Sequence, residues 1–259
     1  MSLTMRSSVI ELRKLMHRKK YIVLCIIQMV IIAAFVLGMA AMANFMSQQA
    51  MGGFMGLAFS DLPTIPYNVL TALTSLTLPL YIFMMCSDSF AHEIEDGTIR
   101  CVFMRPITRF KAYLSKIGAI WLFVIANLLA SALVCIIVGA AATGSVRDTG
   151  GILAAYLLSA VPMLPFIAMS SCIAILVQNG TLSMFLSIIA CIVMFVVTLL
   201  SQTVGAIFYI NRLGYYRIFQ GISFDQITVS HMASETLLLL STSMLFGIAG
   251  LVLFERKQI

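Results

Sequence analysis

Six apolar runs set the terms for this chain: Tyr21–Ala43, Tyr67–Phe90, Ile117–Ala142, Ile152–Val177, Thr181–Leu200 and Glu235–Phe254. Each reaches the ~20 residues that a helix needs to cross the hydrocarbon of a bilayer. Lipid offers no partner for a backbone N–H or C=O, so a run that crosses it must pair its own backbone as a helix. Composition agrees. Hydrophobic residues make up 61% of the 259 residues and charged ones 10%, against about 25% charged in a soluble domain. The expected fold is an all-α integral membrane protein with six transmembrane helices, forming one domain over residues 1–259. No internal repeat or second, soluble domain stands out.

The bases give the orientation. With the N-terminus inside, inner segments hold 13 of the 16 Lys and Arg residues, and outer segments hold only Arg147, Arg212 and Arg217. Basic residues collect on the cytoplasmic side, so both termini are expected there. The net charge of +6 is therefore a topology signal rather than a mark of nucleic-acid binding.

Residues 1–20 are too basic and too long for the leader of a cleaved signal peptide, and the run that follows exceeds a signal h-region. Within them Met5, Val9, Leu12 and Met16 recur at helical spacing, with Arg6, Arg13 and Lys14 off that stripe. Such a helix would lie in the inner interface; a plain extension of the first span is the simpler alternative. On the outer side, Ser201–Ser234 contains "VGAIFYINRLGYYRIF". Its apolar part is too short to span, and Tyr and Arg suit the membrane boundary. It reads as a re-entrant or interfacial segment over 201–234, acting either as an outer gate or as an anchor.

Several chemistries are excluded. No glycine is followed by lysine, so no P-loop can cradle a nucleotide's phosphates. "HEIED" starts like a zinc-protease helix, but Asp96 stands where the second histidine belongs. "DGTIR" lacks the further aspartates that a membrane phosphotransferase of similar pattern needs. No span holds a central histidine or acid, which argues against intramembrane proteolysis and proton relays. Cys25, Cys86, Cys101, Cys135, Cys172 and Cys191 form no Cys-x-x-Cys pair and read as small buried hydrophobes; neither a metal site nor a disulfide is expected.

One dense mixed-charge stretch remains, "SFAHEIEDGTIRCVFMRPITRFKAYLSK", residues 89–116. The second span runs on through Phe90 into a polar turn that Gly97 can close as a helix C-cap. Thr98 can N-cap a short helix, Ile99–Met104, which Pro106 stops. Thr108 can then cap the helix that rises through Lys116. Glu93, Glu95, Gly97, Thr98, Pro106, Arg109 and Lys116, in a loop after the second of six spans, resemble the cytoplasmic loop of ABC-2 type permeases. These are the membrane subunits of one exporter class of ATP-binding-cassette transporters. The basic N-terminal helix and the segment before the last span fit the same architecture.

That resemblance carries further expectations. It implies a single ABC-2 type transmembrane domain with a coupling loop at 91–112, in the cell membrane, and a bacterial source. It implies two partners, a cytoplasmic ATPase dimer and a second permease subunit, identical or homologous. ATP and magnesium would sit on the ATPase, and this chain would bind no cofactor. Glu93, Glu95, Asp96, Gly97, Thr98, Ile99, Arg100, Pro106 and Arg109 would form the ATPase-docking surface, with the acids facing basic groups and the 99–104 turn filling an apolar groove. The alternative is a solvated loop whose acids neutralise nearby bases. The resemblance also places the substrate pathway near the first, second and fifth spans. There Gln28, then Asn68, Thr71 and Ser75, then Ser183, Ser187 and Thr198 are the polar candidates; small hydroxyl stripes serve helix packing equally well. A lining without acids suits an amphipathic substrate better than a bare cation. The expected function is export of an antimicrobial peptide or drug-like amphiphile. The rivals are sodium or lipid-linked substrates and a non-transporting anchor or sensor.

Overall fold

A computed structural model describes residues 3–17, 19–48, 65–98, 108–143, 149–177, 179–201 and 229–256. Every regular element among them is helical. Helix α1 (Leu3–His17) precedes α2 (Lys19–Gln48). The second apolar run forms one rod: α3 (Ile65–Ala72), a π turn at Leu73–Thr77, α4 (Leu78–Cys86), a π turn at Ser87–Ala91, and α5 (His92–Glu95). There follow α6 (Arg109–Thr143), α7 (Thr149–Leu158), α8 (Met163–Val177), α9 (Gly180–Ser201) and α10 (Val229–Arg256).

Local chemistry explains the boundaries. The Lys111 N–H donates to Thr108 Oγ1 at 3.4 Å, so Thr108 caps α6 as its side chain allows. The fourth apolar run is broken between α7 and α8, at residues 159–162. Pro162 ends this break and Pro165 falls in the first turn of α8, where a missing N–H costs nothing. Pro79 lies at the start of α4, directly after the first π turn. Proline cannot donate to the carbonyl four residues back, and the wide turn at 73–77 accommodates that missing bond. The residues flanking each π turn, Ala72 and Leu78, then Cys86 and His92, all have right-handed helical dihedrals, and the helical elements follow one another without a break.

Four helices are long and apolar enough to cross a membrane among the described residues: Lys19–Ala41, Arg109–Ala141, Thr149–Val177 and Leu239–Arg256. The fifth run begins as the shorter apolar helix Gly180–Ala190. Two boundaries differ from the sequence reading: α2 continues beyond Ala43 to Gln48, and the last helix starts at Val229 rather than near residue 235. Most of the re-entrant stretch (202–228), the 49–64 segment, and the Ile99–Met104 turn with Arg100 and Pro106 lie outside the described residues.

The core forms where the rod meets α6 and α8. Leu78, Ile82, Phe83, Met85, Cys86 and Phe90 of the rod are buried, against Ile120, Val124 and Leu128 of α6 and Ile167 and Ile175 of α8. Helix α8 packs along α10, and α6 carries α1 and α2 on its flank. Ile26, Val30 and Ile31 of α2, Phe185 and Ile189 of α9, and Met244 and Leu245 of α10 stay exposed. Such outward apolar faces are what a helix surrounded by hydrocarbon carries.

Candidate functional site: a charged hub at one end of the rod

The acids at the end of the rod do not form one face: Asp88, Glu93 and Glu95 reach other helices, while Asp96 lies beside His92 of the rod itself. Glu93 is buried, 4% exposed, and its carboxylate lies between two lysines. Lys116 of α6 donates to Oε2 at 2.5 Å and Lys14 of α1 donates to Oε1. Burial pushes the Glu93 carboxyl up, but the two ammonium groups outweigh it and hold the group below the usual carboxylate range. Lys116 is itself only 2% exposed. It also donates to the Ser89 carbonyl at 2.8 Å and lies 5.7 Å from the centre of the Phe90 ring. A cation over an aromatic face is attracted by the ring's quadrupole.

Asp88, one turn earlier, accepts from Tyr21 Oη at 2.6 Å and pairs with Lys20, both at the start of α2. Glu95 accepts the Gly180 N–H at 2.9 Å. That N–H opens α9, so the carboxylate sits at the positive end of that helix. The Ser87 hydroxyl donates to the Gly180 carbonyl from the other side. His92 packs on the same glycine: a Cβ there would lie 3.4 Å from its own Cβ. Its Nε2 is 3.4 Å from Asp96 Oδ2. Residues 87–96 thus tie α1, α2, α6 and α9 to one point.

Gly97 closes the stretch with φ of +67°, a left-handed conformation that suits glycine. Its N–H reaches the Ile94 carbonyl at 3.2 Å, and Thr98 Oγ1 donates to the Glu93 carbonyl at 3.3 Å. The turn leaves Glu95 and Asp96 outermost, with side chains 43% and 50% exposed. Arg109 donates to the Glu255 carbonyl at 3.0 Å and so closes on the end of α10. Beneath the hub Phe90, Tyr113 and Phe254 stack with centroids 5.6–6.3 Å apart, an arrangement that favours tilted rings.

The expected docking residues therefore divide. Glu95, Asp96, Gly97 and Thr98 share the outer turn. Glu93 points inward, because two lysines of its own chain neutralise it. Arg109 serves a neighbouring helix end. The sequence reading missed Lys14, Lys20, Tyr21, Asp88 and Gly180 as members of the hub. A signal existed for Glu93: Cys86, Phe90 and Glu93 follow at steps of four and three, which puts the carboxylate on the rod's apolar face.

Among the pathway candidates, Gln28 is buried. Its Nε2 donates to Asn127 Oδ1 at 2.9 Å, and Ser131 Oγ lies 3.4 Å away. This pins α2 to α6. Ser183 and Ser187 are buried in α9. The Ser187 hydroxyl donates to the Ser183 carbonyl, and Ser183 Oγ has no hydrogen-bond partner among the described residues. Asn68, Thr71 and Ser75 lie on the rod and Thr198 on α9, with side chains outside the described set. At the opposite end of the rod, Tyr156 Oη donates to the Pro66 carbonyl at 2.9 Å.

A family profile described as ABC-2 family transporter protein matches residues 9–198. That span runs from within α1, through the rod and residues 87–96 of the hub, to within α9. The chain belongs to the ABC-2 family of transporter proteins, and is a membrane permease component of an ABC transporter. No individual curated protein matches its sequence.

Proposed function

We propose that this chain is the permease subunit of an ATP-driven exporter, worked by a separate ATPase that docks on residues 95–98. The observation that carries this reading is the division within the hub. Glu95 and Asp96 stand exposed on a glycine-closed turn, while Glu93 and Asp88 behind them are tied to three other helices. An outer face presented to a partner, rigidly joined to α1, α2 and α6, is what transmission from a cytoplasmic motor into a membrane requires.

Six spans with both termini cytoplasmic fit the contacts. The hub gathers the end of the second run, the start of the third, the start of the fifth and, through Arg109, the end of the sixth. Pro66 and Tyr156 meet at the far end. That is the pairing an alternating path with a cytoplasmic hub produces. The unmatched hydrophobic faces of α2 and α9 leave room for a second permease subunit. ATP and magnesium belong to the partner in this reading. A set of pathway candidates without acids favours an amphipathic peptide or drug-like amphiphile as substrate, ahead of sodium or a lipid-linked molecule.

The test is reconstitution with a candidate ABC ATPase subunit from the same source. Stimulation of ATP hydrolysis by amphiphiles, with ATP-dependent transport into inverted vesicles, is the expected result. A complex that forms but shows neither would favour the anchor or sensor reading.

A further inference from the structure

We propose that the π turn at Ser87–Ala91 is a rotational latch for the docking turn, and that Lys116 is the positioning residue that holds it. In this turn the His92 N–H reaches back five residues to the Ser87 carbonyl, where an α-helix reaches back four. The turn therefore contains one residue more than an α-helical turn. π turns inside α-helices are uncommon and cluster at working positions.

Lys116 grips this turn at successive points. Its ammonium donates to the Ser89 carbonyl, lies over the Phe90 ring and donates to Glu93 one turn further on. All three contacts are made from α6, so they fix the register of the rod's end relative to another helix. The Ser87 hydroxyl adds a hold on α9 through the Gly180 carbonyl. Narrowing the turn to α would shift everything beyond it by one residue, a rotation of about 100° and an advance of about 1.5 Å. Glu95 and Asp96 lie directly beyond. The latch sets which way the docking acids face. It rests on the docking reading for its purpose, but its test needs neither ATPase nor substrate.

The experiment uses the full chain in lipid nanodiscs, with its native cysteines replaced. Spin labels are placed at Asp96→Cys and Glu255→Cys for pulsed distance measurement. A side chain carried ~5 Å from the helix axis moves roughly 8 Å in such a rotation. The latched chain gives one narrow distance. Lys116→Met should add a second population shifted by several ångströms. A control pair at Leu37→Cys and Leu133→Cys, both exposed on α2 and α6, should not change.

Deletion of Ser89 supplies the specific readout. Without the extra residue there is no wide turn to narrow, so Lys116→Met in that background should return to one distance. A single unshifted distance in Lys116→Met alone overturns the latch. If Lys116→Met broadens the control pair too, the deletion background decides. A single distance with an intact control supports the latch, and continued broadening overturns it, because Lys116 would then serve the fold regardless of the turn.

Discussion

Glu93→Gln keeps the shape of the side chain and removes its charge. Lys116 would then hold its ammonium, 1% exposed, against a neutral amide, the Ser89 carbonyl and the Phe90 ring. Removing one member of a buried ion pair costs about 3–5 kcal/mol, because the other charge stays desolvated. Lys14 adds little to this figure. Its side chain is 47% exposed, and pairs at that exposure contribute about 0–1 kcal/mol. The effect should therefore be dominated by Lys116, and Lys14→Met alone should be mild. Replacing both buried partners by apolar residues, Glu93→Leu with Lys116→Met, removes the stranded charge. Such exchanges are often near neutral, so the double variant should be more stable than Glu93→Gln alone. Unfolding in nanodiscs can be followed by the fluorescence of Trp121, the chain's single tryptophan, whose Nε1 donates to the Ala160 carbonyl at 3.3 Å. Equal stability of Glu93→Gln and wild type would refute the reasoning, as would a double variant as weak as the sum of its singles.

Acid should act on the same pair. Glu93 has its carboxyl lowered in the folded chain, so its contribution is complete above the unfolded carboxylate pKa and is lost as pH falls through the lowered folded value. Unfolding measured from neutral to strongly acidic pH should show a wild-type loss that Glu93→Gln lacks. Gly97→Ala must place a Cβ at φ +67°, at a cost of about 1–2 kcal/mol, read as a lower unfolding midpoint. Gly250→Ala puts a Cβ 2.5 Å from Tyr113 Oη, an overpacking worth about 1–3 kcal/mol; adding Tyr113→Phe should recover part of it in the same assay. Asn127→Leu leaves the Gln28 amide only the weaker contact to Ser131 and should cost about 1–2 kcal/mol, with recovery when Gln28→Leu is added.

The helices were legible because lipid leaves a long apolar run no alternative. Turn chemistry was legible too: Gly97 adopts positive φ, Thr108 caps α6, and the break before α8 falls at Pro162. The π turns were not, since the rod is apolar on nearly every side around them and a one-residue shift of phase leaves no mark on such a run. Nor were the partners of the acids. Lys14 and Lys116 lie 79 and 23 residues from Glu93, too far along the chain for local charge counting to pair them. The same blindness applied to Gln28. Its partner Asn127 lies 99 residues away along the chain.

The most direct test of the account is ATPase coupling in the reconstituted complex after Glu95→Lys and Asp96→Lys together. These residues stand outermost on the turn, and neither is part of the buried pair. The expected result is a folded permease, by Trp121 unfolding, that no longer stimulates or is driven by its ATPase. Wild-type coupling in that double variant would contradict it.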